Sequence, residues 1–313
     1  MNNARPQFSG HAHLPWRNAG GTGELTMSDA LARTGALPRA IEPARAPCRL
    51  VLALALAAAF AARADRGALT ALSLEQLLEV RIVGASKYEQ KQSEVAAAVS
   101  VITRHEIKAF GWRTLDEALA SLPGVYSTYD RQYGYLGTRG FGLPGDYNTR
   151  HLVTINGNRL NDPIYDQGPF WRSLPIDLDL IERIEFVPGP GGAVYGQNAM
   201  FGVVNLITRS GADLSGAELA ASYQRPQALR EGRVTWGWRF DSGTDVLVSV
   251  SGLRSRGEDR FMEFGASGVS GLAAGLDGDR DREFFARVGH GPWSFEHLYA
   301  YHRKDDPTGA YLS

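Results

Sequence analysis

A chain of 313 residues with 33 Lys and Arg against 34 Asp and Glu, formal net charge -1, offers no basic field for a nucleic-acid backbone. Hydrophobic residues make up 43% of it, which excludes wholesale disorder and allows one or two domains with a real core. The single cysteine, Cys48, precedes the first long apolar run, so neither a disulfide framework nor a cysteine-based metal site is expected in the mature chain.

That run, residues 50–62, carries no charge, follows Arg39, Arg45 and Arg49, and leads into the small-x-small step Ala62-Arg63-Ala64. This pattern predicts a secretory signal. It falls short of the roughly 20 apolar residues a membrane-spanning helix needs, and a buried helix is the competing reading. Met27 offers an internal start, so residues 1–26 read as a gene-start artefact or a disordered extension, and residues 1–64 as extension plus signal peptide. Residues 72–83, LSLEQLLEVRIV, begin as an amphipathic segment and turn extended where Val80, Ile82 and Val83 take over. A polar stretch follows. An extended strand with free edge hydrogen bonds is what capture by strand addition requires, although any exposed β-prone octapeptide would satisfy that condition.

Residues 96–103 predict the first core strand, and Arg104 to Ile107 open a helical turn. Thr114 is placed to cap a second helix with Glu117 completing a capping box, and Leu115, Leu119 and Leu122 fall at helical core spacing. Pro123-Gly124 ends that helix ahead of a strand over 125–128. His151 to Ile155 form a strand, and Asn156-Gly157 is a type I′ hairpin signal. Asp177 and Asp179, two apart in IDLDL, suggest either paired carboxylates or, preferred by their position, an exposed strand edge.

Residues 181–208, IERIEFVPGPGGAVYGQNAMFGVVNLIT, set a glycine-rich elbow between two apolar strands. Proline lacks an amide donor and glycine permits positive φ, so the stretch from Pro188 to Gly192 must turn. It lacks the lysine and hydroxyl of a phosphate loop. Histidines 105, 151, 290, 297 and 302 are scattered, and His297 and His302 point to opposite faces of one strand, so no catalytic set, metal site or cofactor is expected and the chain does not read as an enzyme. Beyond Arg209, five antiparallel strands are predicted over 217–224, 233–240, 245–253, 282–289 and 293–302. They are joined by short turns and one long glycine- and charge-rich stretch, 254–281. Trp293, Phe295, Tyr299 and Tyr301 share one face, the alternation of membrane barrel strands, which a soluble β-sandwich would also show.

Three blocks in order, LPGV at the helix end, RGFG through NGNRLND, and the elbow, cover about 85–208 and resemble the plug domain of TonB-dependent outer-membrane receptors. The resemblance implies an α+β plug domain over 91–209, followed by the start of a transmembrane antiparallel β-barrel of the 22-stranded type over 210–313. Only 104 residues follow Arg209 (313 minus 209), room for about five or six strands of roughly ten residues, so the chain is read as a fragment of a longer receptor. With the first strand running outward, turn 241–244 faces the periplasm and stretch 254–281 the exterior.

The resemblance further implies a TonB box within the segment 65–90, at Leu78, Glu79, Val80, Arg81, Ile82, Val83, Gly84 and Ala85. Structural glycines are expected at Gly140, Gly157, Gly189, Gly191, Gly196 and Gly202. The family's elbow usually carries an arginine where this chain has Pro188 and a small residue where it has Phe201, so contact between plug and barrel is expected to rest on Arg183 with Glu182 or Glu185. Arg139 either joins that contact or is an ordinary solvated arginine. Tyr129, Arg131, Tyr133, Tyr135 and Tyr147 are the ligand-contact candidates. The implied function is energy-coupled import of a scarce solute, most often a ferric siderophore, with cobalamin, haem or a glycan as alternatives. The implied partners are a TonB-type coupling protein, outer-membrane lipid and the small-molecule ligand, with no nucleic acid, and the implied location is the bacterial outer membrane. A secreted plug-like binding module with an incidental β tail is the competing class. A signalling transducer would need an extra folded domain ahead of the box, and few residues separate Ala64 from Leu78.

Overall fold

The computed structural model of the protein describes residues 98–265 and 268–308, together with two short strands, β1 (Arg81–Ile82) and β2 (Gln90–Lys91), that pair antiparallel. The signal segment, Cys48 and the other residues of the proposed box lie outside the described residues.

The first body is built on β3 (Ser100–Thr103), β6 (His151–Ile155), β7 (Asn158–Arg159), β8 (Ile181–Pro188) and β9 (Gly202–Thr208), in the spatial order β3-β8-β9-β6-β7. All neighbours are antiparallel except β6 and β9. Helices α1 (Arg104–Phe110) and α2 (Leu115–Leu119) cover one face. Thr103 caps α1 reciprocally: its Oγ1 accepts from Glu106 N at 3.3 Å, and Glu106 Oε2 accepts from Thr103 N at 2.7 Å. On α2 only half of the predicted box closes. Glu117 Oε2 accepts from the amides of Arg113 (2.8 Å) and Thr114 (3.3 Å), while Thr114 Oγ1 has no partner. Ile107, Leu115 and Leu119 pack with Ile155, Ile184, Val204 and Leu206 into the core. A hairpin of β4 (Val125–Tyr129) and β5 (Gly134–Thr138) lies beside it.

The elbow forms the antiparallel pair β8 and β9 with a helical turn, α3 (Gly192–Tyr195), between them. Pro188 is still paired as the last residue of β8, so the turn begins one residue later than its proline suggests. Of the six glycines singled out, Gly140, Gly157, Gly189 and Gly196 have positive φ. Gly191 and Gly202 answer to packing instead: a Cβ on Gly202 would lie 2.7 Å from the Phe186 ring and one on Gly191 2.9 Å from Val203 Cγ2.

A second sheet, the wall, follows: β10 (Gly216–Gln224), β11 (Leu229–Arg239), β12 (Asp245–Ser255), β15 (Asp279–His290) and β16 (Trp293–Lys304), each antiparallel to the next. The long stretch predicted as a loop holds a small hairpin, β13 (Arg260–Glu263) with β14 (Ser270–Ala273). Turns 240–244 and 291–292 lie at one end of the wall, and turn 225–228 with the long connection 256–278 at the other. Alternate residues sort onto two faces. Glu218, Arg233, Thr235, Leu247, Ser249 and Phe285 point toward the first body, with Leu247 and Phe285 entering its core. Leu219, Val234, Trp236, Val250, Phe295 and Tyr299 are exposed on the other side. Among the described residues no helix is long and apolar enough to cross a membrane.

The two bodies are stitched by α4 (Gly211–Leu214), capped by Ser210, with Asp245 of β12 accepting from the amides of Gly211 (2.7 Å) and Ala212 (2.9 Å). A Cβ on Gly211 would lie 2.1 Å from Val246 O and 2.8 Å from Trp238 N, both rigid backbone. Gly211→Ala is therefore expected to destabilise the protein by about 1–3 kcal/mol, the usual range for overpacking, read as a lowered denaturant midpoint with unchanged m-value.

His151 supplies a pH signature of the first body. Its ring is buried edge-on to Phe170 and Phe201, with Nε2 3.2 Å from Thr138 Oγ1, and burial lowers its pKa from 6.5 to about 4. The unfolded chain takes up this proton first, so the stabilisation is complete above pH 6.5 and is lost as pH falls toward 4. Unfolding free energies at pH 7 and pH 4 should differ by about 2–3 kcal/mol more in the native protein than in His151→Gln. Parallel profiles for the two proteins would contradict this assignment.

Candidate functional site

Two features of the first body form the candidate site: its seat against the wall and its cavity at the long-loop end. The seat centres on Arg233, whose side chain is 1% exposed. Its Nε lies 3.0 Å from Asp177 Oδ2, and its Nη2 lies 3.2 Å from Asp179 Oδ2 and donates to Glu218 Oε1 at 2.7 Å. Glu218 also meets Arg209 at 3.1 Å and Arg104 at 3.5 Å, and Arg113 approaches Asp179 at 3.9 Å. The wall contributes Arg233 and Glu218; the first body contributes the rest.

The two aspartates are thus paired carboxylates and not an exposed edge. A 3-10 turn at Leu178–Leu180, capped by Asp177, aims both at the wall. Burial pushes the Asp177 carboxyl up to about 6, with Arg233 pulling it down and Asp179 pushing it further up. Burial, followed by repulsion from Arg209, lowers the Arg104 pKa, and burial likewise lowers that of Lys108. Every charge in the cluster depends on its opposites being present.

Nearer the short-turn end, the Asn156-Gly157 turn makes a second contact. Asn156 Nδ2 donates to Glu296 Oε1 at 2.6 Å and Asn158 Nδ2 to Glu296 Oε2 at 3.3 Å, while Arg287 reaches Thr208 Oγ1 at 3.2 Å. At the opposite end Arg131 pairs with Asp277 at 3.6 Å. The first body is held along the length of the wall.

The residues expected to make this contact are placed differently. Arg183 Nε pairs with Glu185 Oε1 at 2.8 Å on its own strand, and the fully buried Glu185 accepts from Asn205 Nδ2 at 3.1 Å. Both charges are spent inside the sheet because their positions on β8 face the Asn205 and Thr154 side of it. Glu182 acts at longer range on Arg104. Arg139 is exposed, at φ 52, and makes no ion pair among the described residues. Arg233, Glu218, Arg287 and Glu296 escaped the sequence reading. Their signal was present, as charged residues on the inward register of strands whose outward register is apolar.

At the long-loop end Tyr133, Tyr135 and Tyr147 line a cavity of about 300 Å³ with Asp130, Gln132 and Gln167. Asp130 builds it: Oδ1 accepts from the amides of Gln132 (2.9 Å) and Tyr133 (2.7 Å), and Oδ2 from Tyr135 Oη at 2.5 Å. Burial, then that hydrogen bond, raises the Tyr135 phenol well above its usual range. Asn148 ties the neighbouring loop to β5 through Leu136 N and Gly134 O, and Tyr147 stacks on Tyr165. Tyr133 and Tyr147 are exposed at the cavity. Tyr129 and Arg131 lie elsewhere: Tyr129 stacks on Trp171 at 4.2 Å, and Arg131 turns to Asp277. One group of potential metal ligands exists among the described residues, Asp279, Asp281 and His302 on the inner face of the wall, with ligand atoms within 4.8 Å of one another. His302 already bonds Asp281 there.

Residues 91–203 match the family described as TonB-dependent Receptor Plug Domain. The vitamin B12 transporter BtuB of Vibrio vulnificus is 28% identical over 188 residues, covering 55% of this chain and 30% of that protein. Among solved structures, the alcaligin outer-membrane receptor FauA of Bordetella pertussis superposes with TM-score 0.52 at 16% identity, covering 72% of this chain and 36% of that one. FpvA of Pseudomonas aeruginosa, bound to heterologous pyoverdines, superposes with TM-score 0.51 at 14% identity, covering 71% and 27%. The chain thus spans about a third of the length of these relatives. It carries a TonB-dependent receptor plug domain joined to strands of the receptor barrel.

Proposed function

We propose that the protein works as an outer-membrane receptor that imports a scarce solute by energy-coupled rearrangement of its plug, with a ferric siderophore as the cargo class. The observation that carries this is the tyrosine-lined cavity on the plug, opening at the long-loop end, on a body held to the wall by contacts that can be broken without chemistry. Ligand binding biases the plug. Residues 78–85, of which Arg81 and Ile82 are extended and paired with β2, are then taken up by a TonB-type protein as an added strand. In this reading turns 240–244 and 291–292 face inward, and stretch 256–278 with turn 225–228 faces outward, in keeping with the long outer connections of outer-membrane barrels. The cycle alters no bond in the cargo.

Cobalamin is the second reading, favoured by the similarity to the vitamin B12 transporter. Fluorescence titration of the protein with a ferric catecholate, a ferric hydroxamate and cobalamin separates the two. Quenching by a ferric chelate alone is expected; saturable binding of cobalamin alone would move the assignment to the second reading, and binding of neither would sink both. Tyr147→Ala should weaken the bound chelate about tenfold, as loss of one stacked aromatic typically costs roughly 1–1.5 kcal/mol.

The seat of the plug makes an asymmetric prediction. Arg233→Ala leaves Asp177, Asp179 and Glu218 facing one another and should cost about 3–5 kcal/mol. Asp177→Asn removes only the carboxyl that burial already disfavours, and should cost under about 1 kcal/mol at pH 7. Urea unfolding of both variants checks the order.

A further inference from the structure

The outward face of the wall is graded in register. From the short-turn end, successive cross-strand rows read Trp238, Val246, Val288 and Phe295; then Trp236, Val248, Ala286 and His297; then Val234, Val250, Phe284 and Tyr299. The next row is Gly232, Gly252, Arg282 and Tyr301, and the last is Arg230, Arg254, Arg280 and Arg303. Four guanidiniums therefore stand side by side across four neighbouring strands, roughly 15 Å at the usual strand spacing, with Arg282 one step below.

All five arginines are exposed. Among the described residues Arg230, Arg254, Arg280 and Arg282 make no ion pair, and Arg303 has only the exposed Asp305 at 3.4 Å. Like charges directly opposite on adjacent strands repel, so the row lacks an internal reason to exist. Nor does it belong in hydrocarbon, where an arginine on a barrel's lipid face costs about 2–4 kcal/mol at the midplane and about 0–1 near the interface. Its place at the long-loop end, separated from three largely apolar rows by the Gly232, Gly252, Arg282 and Tyr301 row, matches the headgroup level. Gly232 and Gly252 sit opposite each other beneath Arg230 and Arg254 and leave that strip of the surface without side chains. Together with Arg256, the residues Arg230, Arg254, Arg280 and Arg303 line a cleft of about 490 Å³ whose wall also carries Asp279 and Asp305.

We propose that this row is a binding site for the phosphate groups of an anionic lipid in the outer leaflet, its acyl chains lying over the glycine strip and the apolar rows below. This rests on the outer-membrane placement proposed above. Guanidinium is suited to the role because its planar fork engages phosphate oxygens two at a time and stays charged in a poorly hydrated setting. An acidic protein surface would match the charge but not the apolar rows that continue the same face.

The test is to fold the full chain into phosphatidylcholine vesicles doped with diphosphoryl lipid A, with phosphatidylglycerol, or with neither, and to count retained lipid by native mass spectrometry after detergent extraction. The native protein should retain lipid A. The triple variant Arg254→Gln, Arg280→Gln, Arg282→Gln should retain it at least about tenfold less, at roughly one kcal/mol per arginine near an anionic surface. The single variant Arg280→Gln should fall between, and replacing the same three by lysine should restore part of the binding. A folded triple or single variant that keeps native lipid A retention would overturn the proposal, as would full displacement by inorganic pyrophosphate at concentrations matching the lipid. Failure of the native chain to insert into vesicles of any composition would instead remove the membrane placement, and the lipid site with it.

Discussion

One guanidinium, that of Arg233, organises the seat of the plug. It lies where β11 of the wall passes a 3-10 turn of the plug, out of reach of solvent, so its charge is stable only with carboxylates around it. Asp177 and Asp179 come from the plug and Glu218 from the neighbouring strand, and Glu218 in turn holds Arg209 at the point where the chain leaves the plug. Removing the arginine leaves all three carboxylates without their shared partner. Such a cluster adds little net stability for its size, yet it fixes how the two bodies meet far more sharply than the apolar contacts of Leu247 and Phe285 could alone. In the proposed import cycle, a contact of that kind suits a plug that stays seated at rest and parts from the wall without covalent chemistry.

The wall satisfies two solvents with one register. Period-two alternation sends Glu218, Arg233, Thr235, Ser249 and Arg287 inward and valines, tryptophans and tyrosines outward. The inward residues would be intolerable in lipid, and the outward ones would make a large apolar patch in water. The arginine row closes the outward face at the long-loop end, where the proposed hydrocarbon boundary falls. Plug seating and the proposed membrane and lipid contacts therefore rest on the same strand pairing.

Much of the fold was legible in the sequence because local rules and tertiary structure agree. The Thr103 and Thr114 region, the Asn156-Gly157 turn, the elbow strands and all five wall strands follow from capping chemistry, turn preference and alternation. The strands run longer than their apolar cores suggested, β15 beginning at Asp279 and β16 ending at Lys304, because pairing across charged inward and outward positions extends them. The seat was less legible. Arg183 and Glu185 look like free surface charges in sequence, but β8 turns them into the sheet; Asp177 and Asp179 look like a strand edge, but a 3-10 turn points both at the wall. Pairing of residues about 55 positions apart is not encoded in any local window. Of the ligand candidates, Tyr133, Tyr135 and Tyr147 meet in one cavity, whereas Tyr129 and Arg131 are engaged by Trp171 and Asp277.

The seat is tested most directly by a double-mutant cycle between Arg233→Ala and the Asp177→Ala, Asp179→Ala pair, measured by denaturant unfolding of the membrane-inserted protein. Charges that meet in one buried cluster predict that the combined variant is less damaged than the sum of its parts by about 1–3 kcal/mol. Effects that simply add would mean that plug and wall are held by something other than this arginine.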